Sequence, residues 1–260
     1  MRGEKVFSVG IFPCPPHPPL RGTFSHPRWE KEHIDTFGHF LLISQPPFVC
    51  RALLFDLDGT LVDTLDDLAA SVNFVLGKLG KPARSREEIR EFIGGGVRSL
   101  LRDALGSGYS GPIEDAVALF EPHYLEHCAD RSTLYPGVLD TLDRLSRSHL
   151  LAVVTNKPEA PSRFLLEGLR IDGYFKALIG GDTLAVKKPD PAPLREAARR
   201  LKVASADAMM VGDSAGDIRA AHDAGARACG ATYGYRPAGE LTEAGADFLI
   251  DRPADLLRLV

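Results

Sequence analysis

The sequence predicts an α/β fold, a Rossmann-like parallel sheet flanked by helices with an all-helical segment inserted in it, on three observations. Short apolar runs near Leu53, Leu150, Ala177, Ala208, Ala228 and Phe248 alternate with helical segments, the order expected of a parallel sheet covered on both faces. From about Leu65 to Thr133 that alternation stops and only the helical period persists. Acidic and polar residues stand where several apolar runs end, and open α/β sheets bind ligands outside the carboxyl ends of their strands. The expected organisation is a core of residues 49–64 and 134–260, interrupted by a helical segment over 65–133.

Residues 1–48 are expected to lie outside that fold. There is no Ala before position 52, eight of the 19 Pro fall there, and Cys14-Pro-Pro-His-Pro-Pro19 is incompatible with a helix or a central strand. The apolar piece Val6–Phe12 is short for a signal-peptide core and lacks a small-residue cleavage site. The expectation is a disordered tail or a misassigned translation start, with a non-Met start near Val49. His17, His26, His33 and His39 have no ordered metal-ligand spacing.

The first strand ends in Leu53-Leu-Phe-Asp56-Leu-Asp58-Gly59-Thr60. Residues two apart share a face of a strand, so Asp56 and Asp58 place two carboxylates together. Like charges at that distance require a shared proton or an intervening cation. The pair therefore predicts a divalent metal, an acid/base, or both. An EF-hand calcium loop is excluded, because its Gly is the sixth residue and here Gly59 is the fourth from Asp56. After it, Leu65, Leu68, Val72, Val75, Leu76 and Leu79 recur at threes and fours as one helical face. Further helical runs span about 87–92, 97–105 and 112–128.

Three later segments carry polar groups in matching positions. Leu150-Leu-Ala-Val-Val-Thr155-Asn156 is an apolar run ending in a hydroxyl and an amide, Lys187-Lys188-Pro189 puts a basic pair before a helix, and Met209-Met-Val-Gly212-Asp213-Ser-Ala-Gly-Asp217 follows another apolar run. Taken singly, each admits a plainer reading: an Asn turn, a solvated basic pair, a helix cap.

Together, in this order, the four segments resemble the motifs of the haloacid dehalogenase-like superfamily. The resemblance implies that Asp56 is a nucleophile that forms an aspartyl-phosphate, and that Asp58 is a general acid/base. It implies that Thr155, Asn156 and Lys188 cradle the phosphoryl group, and that Mg²⁺ is held by Asp56, the Asp58 carbonyl and Asp213, with Asp217 supporting. It also implies that 65–133 is the helical cap. Asp58 argues against dehalogenases and phosphonatases, which lack an acid there, and Gly212 weighs against mutases. From Val153 onward the details are similar to bacterial phosphoglycolate phosphatases, and the resemblance runs over essentially Arg51 to Val260. The alternatives are hydrolysis or mutation of another small phosphate ester, such as a sugar phosphate or pyrophosphate, and a non-catalytic binding protein.

Substrate choice is expected from the loop Gly94-Gly95-Gly96-Val97-Arg98. The amides of Gly95 and Gly96 and the Arg98 guanidinium are the candidate partners for a carboxylate on the substrate. A net charge of -4 and the lack of a basic-aromatic stripe argue against nucleic acid as a partner. Phe40–Ile43 is far too short to span a bilayer. Four scattered Cys fit a reducing cytoplasm better than a disulfide framework or zinc site. The expected partner is a small phosphate ester, and the expected assembly a monomer or homodimer.

Overall fold

The computed structural model describes residues 49–260, and the expectation for residues 1–48 lies outside them. In chain order the elements are β1 (Ala52–Phe55), β2 (Val62–Asp63), α1 (Leu65–Lys78), α2 (Arg86–Phe92), α3 (Val97–Leu105), α4 (Ile113–His127), β3 (Thr133–Leu134), α5 (Val138–Leu145), β4 (Leu150–Val154), α6 (Glu159–Gly168), β5 (Phe175–Ile179), α7 (Ala192–Leu201), β6 (Ala208–Gly212), α8 (Ala215–Ala224), β7 (Arg227–Ala231), α9 (Ala238–Glu243) and β8 (Phe248–Ile250).

Six strands form one parallel sheet in the order β5-β4-β1-β6-β7-β8. Strands buried on both faces must be apolar at every position, and β1 and β6 are. The period of two then sorts the side chains. Leu53, Phe55, Leu151, Val153, Met209 and Val211 pack with Val138 and Leu142 of α5 and Leu165 of α6 on one face. Ala52, Leu54, Ala152, Val154, Ala208 and Met210 pack with Leu194 of α7 and Ile218 of α8 on the other. The chain moves outward from β1 to β4 and β5, then returns to β6 on the other side, so the strand order reverses at β1. Its carboxyl end opens at the switch point.

Helices α1 to α4 bury a separate cluster that includes Leu68, Val72, Ile89, Leu101 and Phe120. Their sequence signal is the 3.6-residue period of apolar positions, and the helices match the predicted spans to within two residues. The chain leaves the sheet through β2 and returns through β3, and these two short strands pair antiparallel, so both crossings lie side by side. At two residues each they are too short to show a period, and nothing in the sequence announces them. Asp67, nearly fully buried, accepts hydrogen bonds from the Arg131 and Ser132 amides and the Ser132 hydroxyl, fixing α1 to the returning chain.

Candidate active site

Asp56 is the first residue beyond β1, and its amide donates to the Val211 carbonyl of β6 at 2.9 Å, continuing the sheet ladder to the residue itself. Position 58 lies two residues on, in a turn closed by Gly59. That glycine has φ +82°, and a Cβ there would overlap the Asp213 carboxylate. Glycine is thus needed both for the backbone and for the close approach of the two loops. Gly212 at the end of β6 is constrained by contact alone, because a Cβ would overlap Asp217.

Four loops converge. Asp56, Asp213 and Asp217 each offer a carboxylate oxygen, all within 4.8 Å of one another. Lys188 Nζ lies among them, donating to Asp217 Oδ1 at 2.6 Å and the Val154 carbonyl at 2.6 Å, and pairing with Asp56 Oδ1 at 3.1 Å. Asp213 accepts from the Tyr235 amide at 2.7 Å. Asp217 accepts from the Ser214 hydroxyl and amide in a capping box at the start of α8.

The electrostatics follow from burial. Three carboxylates face one ammonium, which leaves two negative charges uncompensated in a site largely removed from water. Burial pushes Asp56 up to about 6; Lys188 opposes the rise, and Asp217 and Asp58 add to it. Asp213 is raised well above the usual carboxylate range by burial, then by Asp56 and Asp217. Burial pulls Lys188 down, but Asp217 and Asp56 outweigh it and the net shift is upward. Such a cluster of hard oxygen donors, short of two positive charges, fits a divalent cation.

Asp58 belongs to a second constellation. Lys157 Nζ donates to Asp58 Oδ1 at 2.8 Å and Oδ2 at 3.1 Å, and the Thr64 hydroxyl donates to Oδ1 at 2.7 Å. The same ammonium donates to Tyr124 Oη at 2.5 Å and lies 4.5 Å from the Tyr124 ring centroid. Lys157 was not among the site residues the sequence pointed to. A basic residue beside Asn156 and Pro158 carries no local signal, because its partners are 99 and 33 residues away.

Of the expected phosphate cradle, Thr155 and Lys188 are buried at the site. Asn156 is there too, but its amide donors are spent on the Gly94 and Lys188 carbonyls, at 2.8 and 2.9 Å, and its oxygen accepts from the Lys188 amide. Its side chain thus ties three loops together, whereas the expectation was that it donates to phosphoryl oxygens. Thr155 and Asn156, with Asp56, Asp58 and Asp213, line a cavity of about 330 Å³ whose far wall is largely apolar, with Leu68, Ile93, Val97, Leu100, Phe120 and Leu125 from the helical segment beside Glu121 and Tyr124. Gly94 and Gly96 line it, whereas Gly95 and Arg98 do not. Arg98 is half exposed and pairs with Glu114 across α3 and α4. Position 98 is the second residue of α3, and its guanidinium meets a carboxylate on the next helix. The expected contact between Arg98 and a substrate carboxylate would require the side chain to leave Glu114.

Residues 53–231 match the haloacid dehalogenase-like hydrolase family. The chain belongs to that family. Phosphoglycolate phosphatase 1 of Pseudomonas aeruginosa is 41% identical over 214 residues, 80% of this chain and 78% of that protein. Phosphoglycolate phosphatase of Colwellia psychrerythraea is 40% identical over 80% of this chain and 95% of its own length. Among solved structures, a predicted phosphoglycolate phosphatase from Haemophilus somnus is 34% identical with a TM-score of 0.73, covering 81% of this chain and 97% of that one. CbbY from Rhodobacter sphaeroides, solved in complex with phosphate, is 30% identical with a TM-score of 0.70 over 80% of this chain and 96% of that one. These haloacid dehalogenase-like proteins share the sheet and its helical segment with this chain. No helix among its described residues is long and apolar enough to cross a membrane.

Proposed function

We propose that this enzyme is a phosphatase that converts 2-phosphoglycolate to glycolate and phosphate through an aspartyl-phosphate on Asp56. The observation that carries the reading is the convergence of Asp56, Asp213, Asp217 and Lys188 at the carboxyl ends of β1 and β6, with Asp56, Asp58 and Asp213 lining one cavity. The names of the relatives supply the substrate.

The chain's own residues do the following. Asp56 attacks phosphorus in line with the leaving oxygen, and Asp58 gives that oxygen a proton. Asp58 then takes a proton from the water that hydrolyses the acyl phosphate. Lys188 neutralises charge on the phosphoryl oxygens while keeping Asp56 ionised, and the Thr155 hydroxyl and nearby amides orient them. Asp56 and Asp213, the Asp58 carbonyl and the supporting Asp217 would hold Mg²⁺. When bound, that ion supplies positive charge to the transferring phosphoryl group. Residues 65–133 serve as the cap whose apolar wall limits which leaving groups fit. The protein works in the cytoplasm as a monomer or homodimer; Cys50, Cys128 and Cys229 are free thiols.

The test is phosphate release from a panel of phosphate esters with Mg²⁺ present, compared by kcat/KM. Highest turnover on 2-phosphoglycolate is expected. A clear preference for a sugar phosphate or pyrophosphate would overturn the substrate, and no release from any ester would overturn the activity.

A further inference from the structure

We infer that Lys157 is a positioning residue for Asp58, and that Tyr124 makes this positioning depend on how helix α4 is seated over the site. The inference rests on the reading of Asp58 as the acid/base, and it adds a residue with no part in the phosphate or metal chemistry proposed above. Lys157 is buried in the loop after β4 and contacts both oxygens of one carboxylate, so it restrains the rotation of that carboxylate as well as its charge. Thr64 restrains Asp58 from a second direction. The third acceptor of the Lys157 ammonium is the Tyr124 hydroxyl. An ammonium has three protons, and Asp58 Oδ1, Asp58 Oδ2 and Tyr124 Oη use all three. Such a saturated cation is suited to holding its neighbours in place, because gripping a substrate would require breaking one of these contacts.

Tyr124 gives the arrangement its reach. It is fully inside the α1 to α4 cluster, packed on Phe120 with ring centroids 5.1 Å apart, so its hydroxyl goes where that cluster goes. Within the described residues, the acid/base is linked to the helical wall through Lys157 and to the start of α1 through Thr64. A substrate that lets the wall seat well would find Asp58 aimed at its leaving oxygen. One that props the wall open would not.

The role makes a prediction about bond cleavage that a merely structural role does not. As the Asp56 Oδ–P bond forms and the P–O bond to the leaving group breaks, an alkoxide needs the Asp58 proton, whereas a nitrophenolate leaves without one. kcat/KM covers only the steps through that cleavage. Lys157→Met should therefore lower kcat/KM for 2-phosphoglycolate by about ten- to a hundredfold, the worth of a charge-assisted contact, and leave 4-nitrophenyl phosphate within about threefold. Lys157→Arg should recover part of the loss. Tyr124→Phe retains the ion pair and the ring, so it tests the same link should Lys157→Met fail to fold. It should shift the ratio between the two esters in the same direction by about two- to fivefold. Asp58→Asn is the control. If it shows the leaving-group dependence and both Lys157→Met and Tyr124→Phe lower the two esters equally, the positioning role is overturned. A rise in KM for 2-phosphoglycolate at unchanged kcat in Lys157→Met would overturn it too, by making Lys157 a substrate contact. If Asp58→Asn itself shows no such dependence, the acid/base reading fails first.

Discussion

The sheet side of the cavity and its helical wall differ in how many partners fix each side chain. On the sheet side Asp213, Asp217 and Lys188 are nearly fully buried and each is held by at least two polar contacts, while Gly59 and Gly212 leave no room for any other residue beside them. On the helical side most of the lining is Leu, Ile, Val and Phe side chains, with Glu121 and Tyr124 of α4 the polar exceptions, and the one basic residue expected there, Arg98, points to Glu114. Charge chemistry demands particular residues at particular distances, whereas an apolar wall demands only volume and shape. The contrast predicts large, chemistry-specific effects from substitutions on one side and small or merely structural effects from polar substitutions on the other, except at Tyr124, whose hydroxyl reaches the sheet side through Lys157.

The largest effect should come from Asp56. Asp56→Asn removes the atom that bonds to phosphorus, so its loss should exceed the roughly 10²–10⁴-fold that acid/base help is worth. Asp58→Asn should fall within that range and accumulate a phosphoenzyme detectable by intact mass. Asp56→Asn retaining activity within about tenfold of the parent would break the comparison at its strongest point.

Removing the cation comes next. Exhaustive EDTA treatment should silence the enzyme and Mg²⁺ should restore it, with Ca²⁺ a poor substitute because its coordination is larger and looser. The pH dependence follows from Asp56, which is raised from 3.8 to about 6. In the metal-free fold the protonated form is favoured, so the stability it contributes is fully present below the ordinary carboxylate range and is lost as pH rises through about 6. A cation needs the ionised form and reverses that preference. Apparent Mg²⁺ affinity, read by calorimetry, should climb as pH rises through about 6, with proton release on binding. Affinity independent of pH from about 5 to 7 would remove Asp56 from the ligand set.

Lys188→Met separates charge from packing on the same side. The substituted chain fills similar space but leaves Asp56 and Asp217 without their ammonium, and breaking a buried pair in this way costs about 3–5 kcal/mol. Urea denaturation of the metal-free protein should show a loss of that size. Added Mg²⁺ should recover part of it, because the cation offsets the same charges. An unchanged midpoint would mean that the carboxylates are already neutral in the metal-free fold.

The same contrast explains what could be read from the sequence. The sheet and the helical segment were legible because strands buried on both faces are continuously apolar and helices covering a cluster repeat at 3.6 residues. The acids and Lys188 were legible because they follow apolar runs in a fixed order. Lys157 and Tyr124 were not, since their meaning is a contact between residues far apart in the chain that no local pattern records. Asn156 stands where the sequence placed it but bonds to different partners. An amide at the end of a strand can donate to a ligand or to another loop, and only the position of the Gly94 and Lys188 carbonyls decides which. The Glu114 partner of Arg98 was illegible for a related reason. A glycine-rich loop before a helix suggests an anion site, but the helical turn carries residue 98 around to the face that meets α4.

The smallest effect, and the one that most sharpens the contrast, concerns Arg98. Were it a substrate contact, Arg98→Ala should cost about ten- to a hundredfold in kcat/KM on 2-phosphoglycolate, the worth of a charge-assisted hydrogen bond. In the structure both Arg98 and Glu114 are more than half exposed, and an exposed pair of this kind contributes little. Arg98→Ala should therefore leave kcat/KM within about twofold and shift the denaturation midpoint only slightly, and Glu114→Ala should behave alike. A selective loss on 2-phosphoglycolate in Arg98→Ala that Glu114→Ala does not share would mean that the side chain leaves Glu114 when substrate binds. The helical wall would then carry a charge-specific contact after all, and its difference from the sheet side would lie in timing rather than in kind.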